Sequence, residues 1–124
     1  MSNNPTEYKN MVTDLAKNGQ EILDEMTPNK AHAVHMAMGV SGEAGEILDV
    51  VKKYVMYNKP LGRTHLIEEL GDLEFYLEGL RQATGITREE VLDHNLVKLL
   101  KGDNARYKEG TFSNEAAQLR RDKQ

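Results

Sequence analysis

Apolar residues recur every three to four positions along most of this chain, and no stretch alternates apolar with polar residues as a strand would. That periodicity restricts the chain to helices packed on helices. Four blocks carry it. The first predicted helix runs from about Thr6 to Met26, with Pro5 near its first turn and Thr27-Pro28 closing it. The second runs from about Lys30 to Asn58 and ends in the turn Lys59-Pro60-Leu61-Gly62. The third covers about Thr64 to Thr84, with Thr64 as its expected cap and Gly85 as its stop. The fourth opens on Thr87-Arg88-Glu89-Glu90, a capping box, and fades near Lys101 before Gly102-Asp103-Asn104. Short connections between amphipathic helices predict an all-α fold, an antiparallel four-helix bundle in one domain over residues 1–124. The polar tail from about Arg106 is expected to be only partly ordered.

Composition narrows the functions that such a bundle can serve. With 124 residues the chain has room for one modest core. Its 39% hydrophobic and 29% charged residues are those of a globular protein, although the mean hydropathy of -0.64 is polar. A net charge of -4 argues against a surface that tracks a nucleic-acid backbone, so nucleotides would bind singly in a local pocket. The absence of cysteine excludes disulfides, zinc thiolates and a cysteine nucleophile. No signal-like apolar segment opens the chain and no apolar run reaches membrane-spanning length, so a cytoplasmic protein without a membrane partner is expected.

At about 100° per residue, Val40, Ala44, Ile47 and Val51 fall in one apolar stripe of the second helix, and Glu43, Val50 and Glu46 fall on its flank. The third helix repeats this pattern. Leu66, Leu70, Leu73, Leu77 and Leu80 form its stripe, and Glu69, Asp72 and Tyr76 share one flank. Antiparallel packing through the stripes would bring the four acids together at the edge of the groove. Carboxylates so placed repel one another unless a cation sits among them, and all-oxygen ligation suits Mg²⁺ or Mn²⁺. Mg²⁺ commonly takes phosphates as further ligands, which points to chemistry on a polyphosphate.

One acid pair at i and i+3 would ordinarily be read as solvated surface, but two pairs on core-side flanks favour a site. Asp49 lies nearly opposite the stripe and is expected to be plain surface. A di-iron centre normally needs Glu-x-x-His pairs, and no histidine here stands three residues after a glutamate. His32 and His35, near a helix start, are read as packing or capping residues. Phe75 falls near the side of its helix opposite the leucines, where a monomer would expose it, so association of copies is expected.

The segments Gly42-Glu43-Ala44-Gly45-Glu46-Ile47-Leu48-Asp49, followed by Lys52-Lys53, and Glu68-Glu69-Leu70-Gly71-Asp72-Leu73 resemble the paired acidic motifs of the MazG-like nucleoside triphosphate pyrophosphohydrolases. That superfamily also holds dimeric dUTPases and phosphoribosyl-ATP pyrophosphohydrolases. The resemblance covers roughly Ala33 to Lys98 and includes the twenty-two residues between the two acid pairs. It implies an all-α bundle completed by oligomerisation into a homo-dimer or homo-tetramer. It also implies Mg²⁺-dependent hydrolysis of a nucleoside or deoxynucleoside triphosphate to the monophosphate and pyrophosphate, with Glu43, Glu46, Glu69 and Asp72 as metal ligands. Asn95 and Lys98 match an asparagine and a lysine that the family carries on the next helix, one for sugar or base and one for phosphate. The match departs after Lys98, because Lys101 to Ala105 intervene before Arg106-Tyr107 and Thr111 separates Gly110 from Phe112. Arg106 is thus a weaker phosphate candidate, and Gln20 a weaker one for the base pocket. On this reading Glu46 orients or deprotonates the attacking water, while Lys53 and Tyr76 are further substrate contacts. The alternatives are phosphoribosyl-ATP hydrolysis and a non-catalytic helical nucleotide-binding or interaction protein.

Overall fold

The computed structural model describes residues 4–124, and all regular structure among them is helical. In chain order the helices are α1 (Pro5–Leu15), α2 (Gly19–Glu25), α3 (Pro28–Met56), α4 (Arg63–Thr84), α5 (Arg88–Leu96) and α6 (Asn114–Leu119). A π turn, Val97–Lys101, continues α5, and a 3-10 turn, Arg121–Lys123, follows α6.

Local chemistry accounts for most of the ends. Asn4 and Thr27 accept hydrogen bonds from the Glu7 and Lys30 amides, and Pro5 and Pro28 stand where a missing N–H does no harm. Gly85 ends α4 in the left-handed conformation at φ 71°. The expected capping box opens α5: the Glu90 amide donates to Thr87 Oγ1 at 3.1 Å and the Thr87 amide donates to Glu90 Oε2 at 2.7 Å.

Two local expectations are corrected. The first predicted helix is two helices, because Ala16 turns to an extended ψ of 136° and Asn18 starts α2 by accepting from the Gln20 amide at 2.7 Å. An asparagine side chain that competes for backbone donors outweighs the apolar periodicity across this joint. Thr64 does not cap α4. Gly62 holds the cap position and contributes no side-chain bond.

Among the described residues, extensive packing between long elements is that of α3 against α4. The two run antiparallel: Met36 lies against Gly79, Gly39 against Tyr76, and Val50 near Gly62. A Cβ at Gly39 would overlap the Tyr76 ring, and one at Gly79 would overlap the Met36 side chain. These two glycines therefore draw the helices together on one particular face. That face is rotated from the predicted stripe. On α3 the covered positions are Ala33, Met36, Gly39, Val40, Glu43, Ile47 and Val50, while Ala44, Leu48 and Val51 are exposed. On α4 they include Leu66, Glu69, Leu73, Tyr76 and Leu80, while Leu70 is exposed. The alternating three- and four-residue steps are those of a coiled-coil seam, and they carry Glu43 and Glu69 into the contact instead of beside it.

Only Met36, Val50, Ala105 and Ala116 form the buried apolar core among the described residues. The accessible surface is 10190 Å², against about 6,700 Å² expected for a compact protein of 14.0 kDa. Phe75, 67% exposed, and Leu15, Leu23, Leu48 and Met56 are among the large apolar side chains left facing solvent.

Candidate metal and phosphate site

The seam between α3 and α4 is apolar toward the Met36 end and acidic at its middle. Glu43 comes from α3, and Glu69 and Asp72 come from adjacent turns of α4. One carboxylate oxygen from each of the three lies within 4.8 Å of the others. The pairing of Gly39 with Tyr76 one turn away fixes this register, so the same close approach that forms the hairpin gathers the acids.

The electrostatics follow from the crowding. Glu43 is pushed up to about 7 by carboxyl-to-carboxyl contact with Glu69, then by burial, and then by the negative charges of Glu69, Asp72 and Glu46. Two carboxyl groups can share a hydrogen bond only when one holds a proton, and Glu43 is the one so held. With the acids ionised, Glu43 Oε2 is buried and has no hydrogen-bond partner. A buried oxygen without a donor, inside a three-carboxylate cluster, calls for a proton or a cation. Oxygen-only donors at this spacing fit a hard divalent ion better than a transition metal.

Three of the four acids read from the sequence are thus brought together. Glu46 is exposed and outside the close cluster, although its charge still acts on Glu43. His65 is a neighbour that sequence reasoning missed: its Nε2 stands 3.1 Å from Glu69 Oε1. The spacing of four between His65 and Glu69 on one helix was the available signal. Tyr76 lies in the seam, with its ring edge-on to Phe75 at 5.3 Å and to His35 at 6.4 Å.

The remaining candidates lie elsewhere. Lys53 Nζ pairs with Asp49 at 2.9 Å on the exposed side of α3, and Lys52 stands 5.8 Å over the Tyr57 ring. Gln20 donates to Asp24 Oδ1 at 2.9 Å on the surface of α2. Asn95 and Lys98 line a separate open groove of about 620 Å³ with Ile86, Glu90, Val91, His94 and Asp122. No residue of α3 or α4 lines that groove. Arg106 does not point to an open phosphate site, because its Nε and Nη2 donate to the two oxygens of Asp122 at 2.9 and 3.1 Å.

No helix among the described residues is long and apolar enough to cross a membrane. Compared with known proteins, the chain matches no family model, no curated protein and no solved structure.

Proposed function

We propose that the chain hydrolyses a nucleoside or deoxynucleoside triphosphate to the monophosphate and pyrophosphate, with Mg²⁺ held by Glu43, Glu69 and Asp72 and with Glu46 beside them. The observation that carries this reading is the buried, donorless Oε2 of Glu43, a member of the three-carboxylate cluster. The doubled acidic motif, with its resemblance to the MazG-like pyrophosphohydrolases, supports it further.

Each group has a task on this reading. A divalent ion bound there would neutralise phosphate charge and acidify a bound water, and Mn²⁺ would substitute for Mg²⁺. Glu43, Glu69 and Asp72 offer oxygens from two rigid helices, so the ligand geometry is set before substrate arrives. Glu46, being exposed, is free to orient the attacking water and accept its proton at a carboxylate oxygen. His65 braces the Glu69 carboxylate through its Nε2. Lys98 and Asn95 line a groove apart from the acids, and on this reading they offer an ammonium for a phosphate and an amide for sugar or base from there.

The reading includes self-association. About 3,500 Å² of surface per chain beyond that of a compact monomer, or about 7,000 Å² over two copies, is ample for the total that obligate homodimers bury. A second copy on the open faces of the hairpin would complete a bundle and cover Phe75. Light scattering that gave only 14.0 kDa at micromolar concentration would overturn this part.

The deciding experiment is incubation with Mg²⁺ and a panel of triphosphates, including dUTP and dCTP, together with (p)ppGpp and phosphoribosyl-ATP, scoring pyrophosphate. Release from at least one nucleotide, abolished by EDTA, is the expected result. Silence across the panel would overturn the enzymatic reading in favour of a nucleotide-binding or interaction protein.

A further inference from the structure

The end of α5 is built in an unusual way. Val97–Lys101 forms a π turn, and three of its carbonyls are taken by the chain that follows: Gly102 donates to Val97 O, Arg106 to Lys98 O and Tyr107 to Leu99 O, each at 2.9 Å. Gly102 fits there because a Cβ would stand 2.8 Å from Val97 O. Ala105, fully buried, anchors the crossing. The chain then runs through α6, capped by Ser113, and returns so that Asp122 receives both arms of the Arg106 guanidinium. The Asp122 side chain is only 3% exposed and lines the same groove as Asn95 and Lys98.

We propose that the segment from Arg106 to Asp122 is a clamp that positions Lys98 for phosphate, with Arg106 and Asp122 as positioning residues and not substrate ligands. The inference rests on the functional reading above for the role of Lys98. The Arg106 amide fixes the Lys98 carbonyl, and the Arg106 side chain neutralises the one carboxylate that the tail brings to the groove. Without that guanidinium, Asp122 would be a bare anion in a groove shared with the Lys98 ammonium. It would draw Lys98 away from substrate and repel the triphosphate.

Steady-state kinetics on the full chain test this with Arg106→Gln, Arg106→Lys, Asp122→Asn, the double variant Arg106→Gln/Asp122→Asn, and Lys98→Ala. Arg106→Gln should raise KM for the triphosphate about tenfold, with kcat within about twofold and the Mg²⁺ requirement unchanged. The double variant should recover much of that loss because the stranded carboxylate is gone, and Arg106→Lys should retain part of the wild-type KM. In a Lys98→Ala background Arg106→Gln should add little, since the two act through one group. Glu109→Gln, which removes only the partner 3.9 Å from Arg121, should behave as wild type. Equal falls in kcat for Arg106→Gln and the double variant, or additivity with Lys98→Ala, would overturn the proposal. Hydrogen exchange gives a readout independent of turnover: Asp122→Asn should speed exchange at the Arg106 and Tyr107 amides, and unchanged protection would overturn the clamp. A wild type silent toward every triphosphate would defeat the functional reading and the role of Lys98, and exchange would still decide the clamp.

Discussion

The carboxylate seam and the C-terminal clamp hold clustered charge by opposite means. In the seam, Glu43, Glu69 and Asp72 are like charges forced together, and Glu43 is held up to about 7. In the clamp, the more deeply covered Asp122 meets a guanidinium, and the pairing with Arg106 pulls it down to about 2. A region arranged against its own electrostatics needs something added to relax it, whereas a region arranged with them is complete. That contrast separates a candidate ligand site from a structural fastening, even though both are made of acids.

The largest effect that sharpens the contrast is on turnover. Glu69→Gln and Asp72→Asn keep side-chain shape while removing charge, so each should lower hydrolysis at least about a hundredfold and leave helical circular dichroism intact. Glu46→Gln should do the same if Glu46 handles the water proton. Near-normal turnover in all three would mean that the ion is held elsewhere.

Next in size is the response of stability to metal. Mg²⁺ at a hundredfold excess over Kd should stabilise the wild type by about 2.7 kcal/mol, a rise in Tm of about 10 °C. Glu43→Gln, Glu69→Gln and Asp72→Asn should lose much of that rise, while in EDTA each should melt at or above the wild-type temperature because repulsion has been relieved. Asp122→Asn should behave in the reverse manner, with a lower Tm in EDTA and an undiminished Mg²⁺ shift. Thermal melts of the four variants with and without Mg²⁺ would break the comparison if Asp122→Asn and the seam variants behaved alike.

The pH dependence in EDTA should have opposite slopes in the two regions. Glu43 binds its proton more tightly in the folded state, so its contribution to stability is full below about 4.5 and is lost as pH rises through about 7. Asp122 has a depressed folded pKa, so its contribution is present above about 3.8 and is lost as pH falls through about 2. Denaturant melts from pH 2 to 8 should show the neutral limb flattened in Glu43→Gln alone and the acid limb flattened in Asp122→Asn alone. A neutral limb that persists in Glu43→Gln would place the perturbed group elsewhere.

The smallest effect belongs to an acid in neither region. Asp49 pairs with Lys53 on open surface, where solvent screens the attraction, so Asp49→Asn should leave the Mg²⁺ shift in Tm as in the wild type. Loss of that shift in Asp49→Asn would show that the acidic site lies on the other side of α3.

Much of this was legible in the residues because it is local. The Thr87–Glu90 box that opens α5 and the Gly85 stop of α4 depend on residues within a turn of the backbone they serve, so sequence alone determines them, whereas the start of α4 at Gly62 and the π turn that ends α5 do not follow from it. The choice of Glu43, Glu69 and Asp72 as candidates rested on the same short-range periodicity. What only the tertiary structure decided depends on surfaces meeting across the fold. Gly39 under Tyr76 and Gly79 under Met36 turned the seam toward the acids, which made Glu43 a covered group and left Glu46 in solvent. Arg106 and Asp122 are sixteen residues apart, and no spacing rule pairs them; their contact forms because the open carbonyls of the π turn and the buried Ala105 and Ala116 bring the chain back. Periodicity names the faces of a helix, but close packing selects which face is used, because an overlap of one Cβ is enough to forbid the alternative.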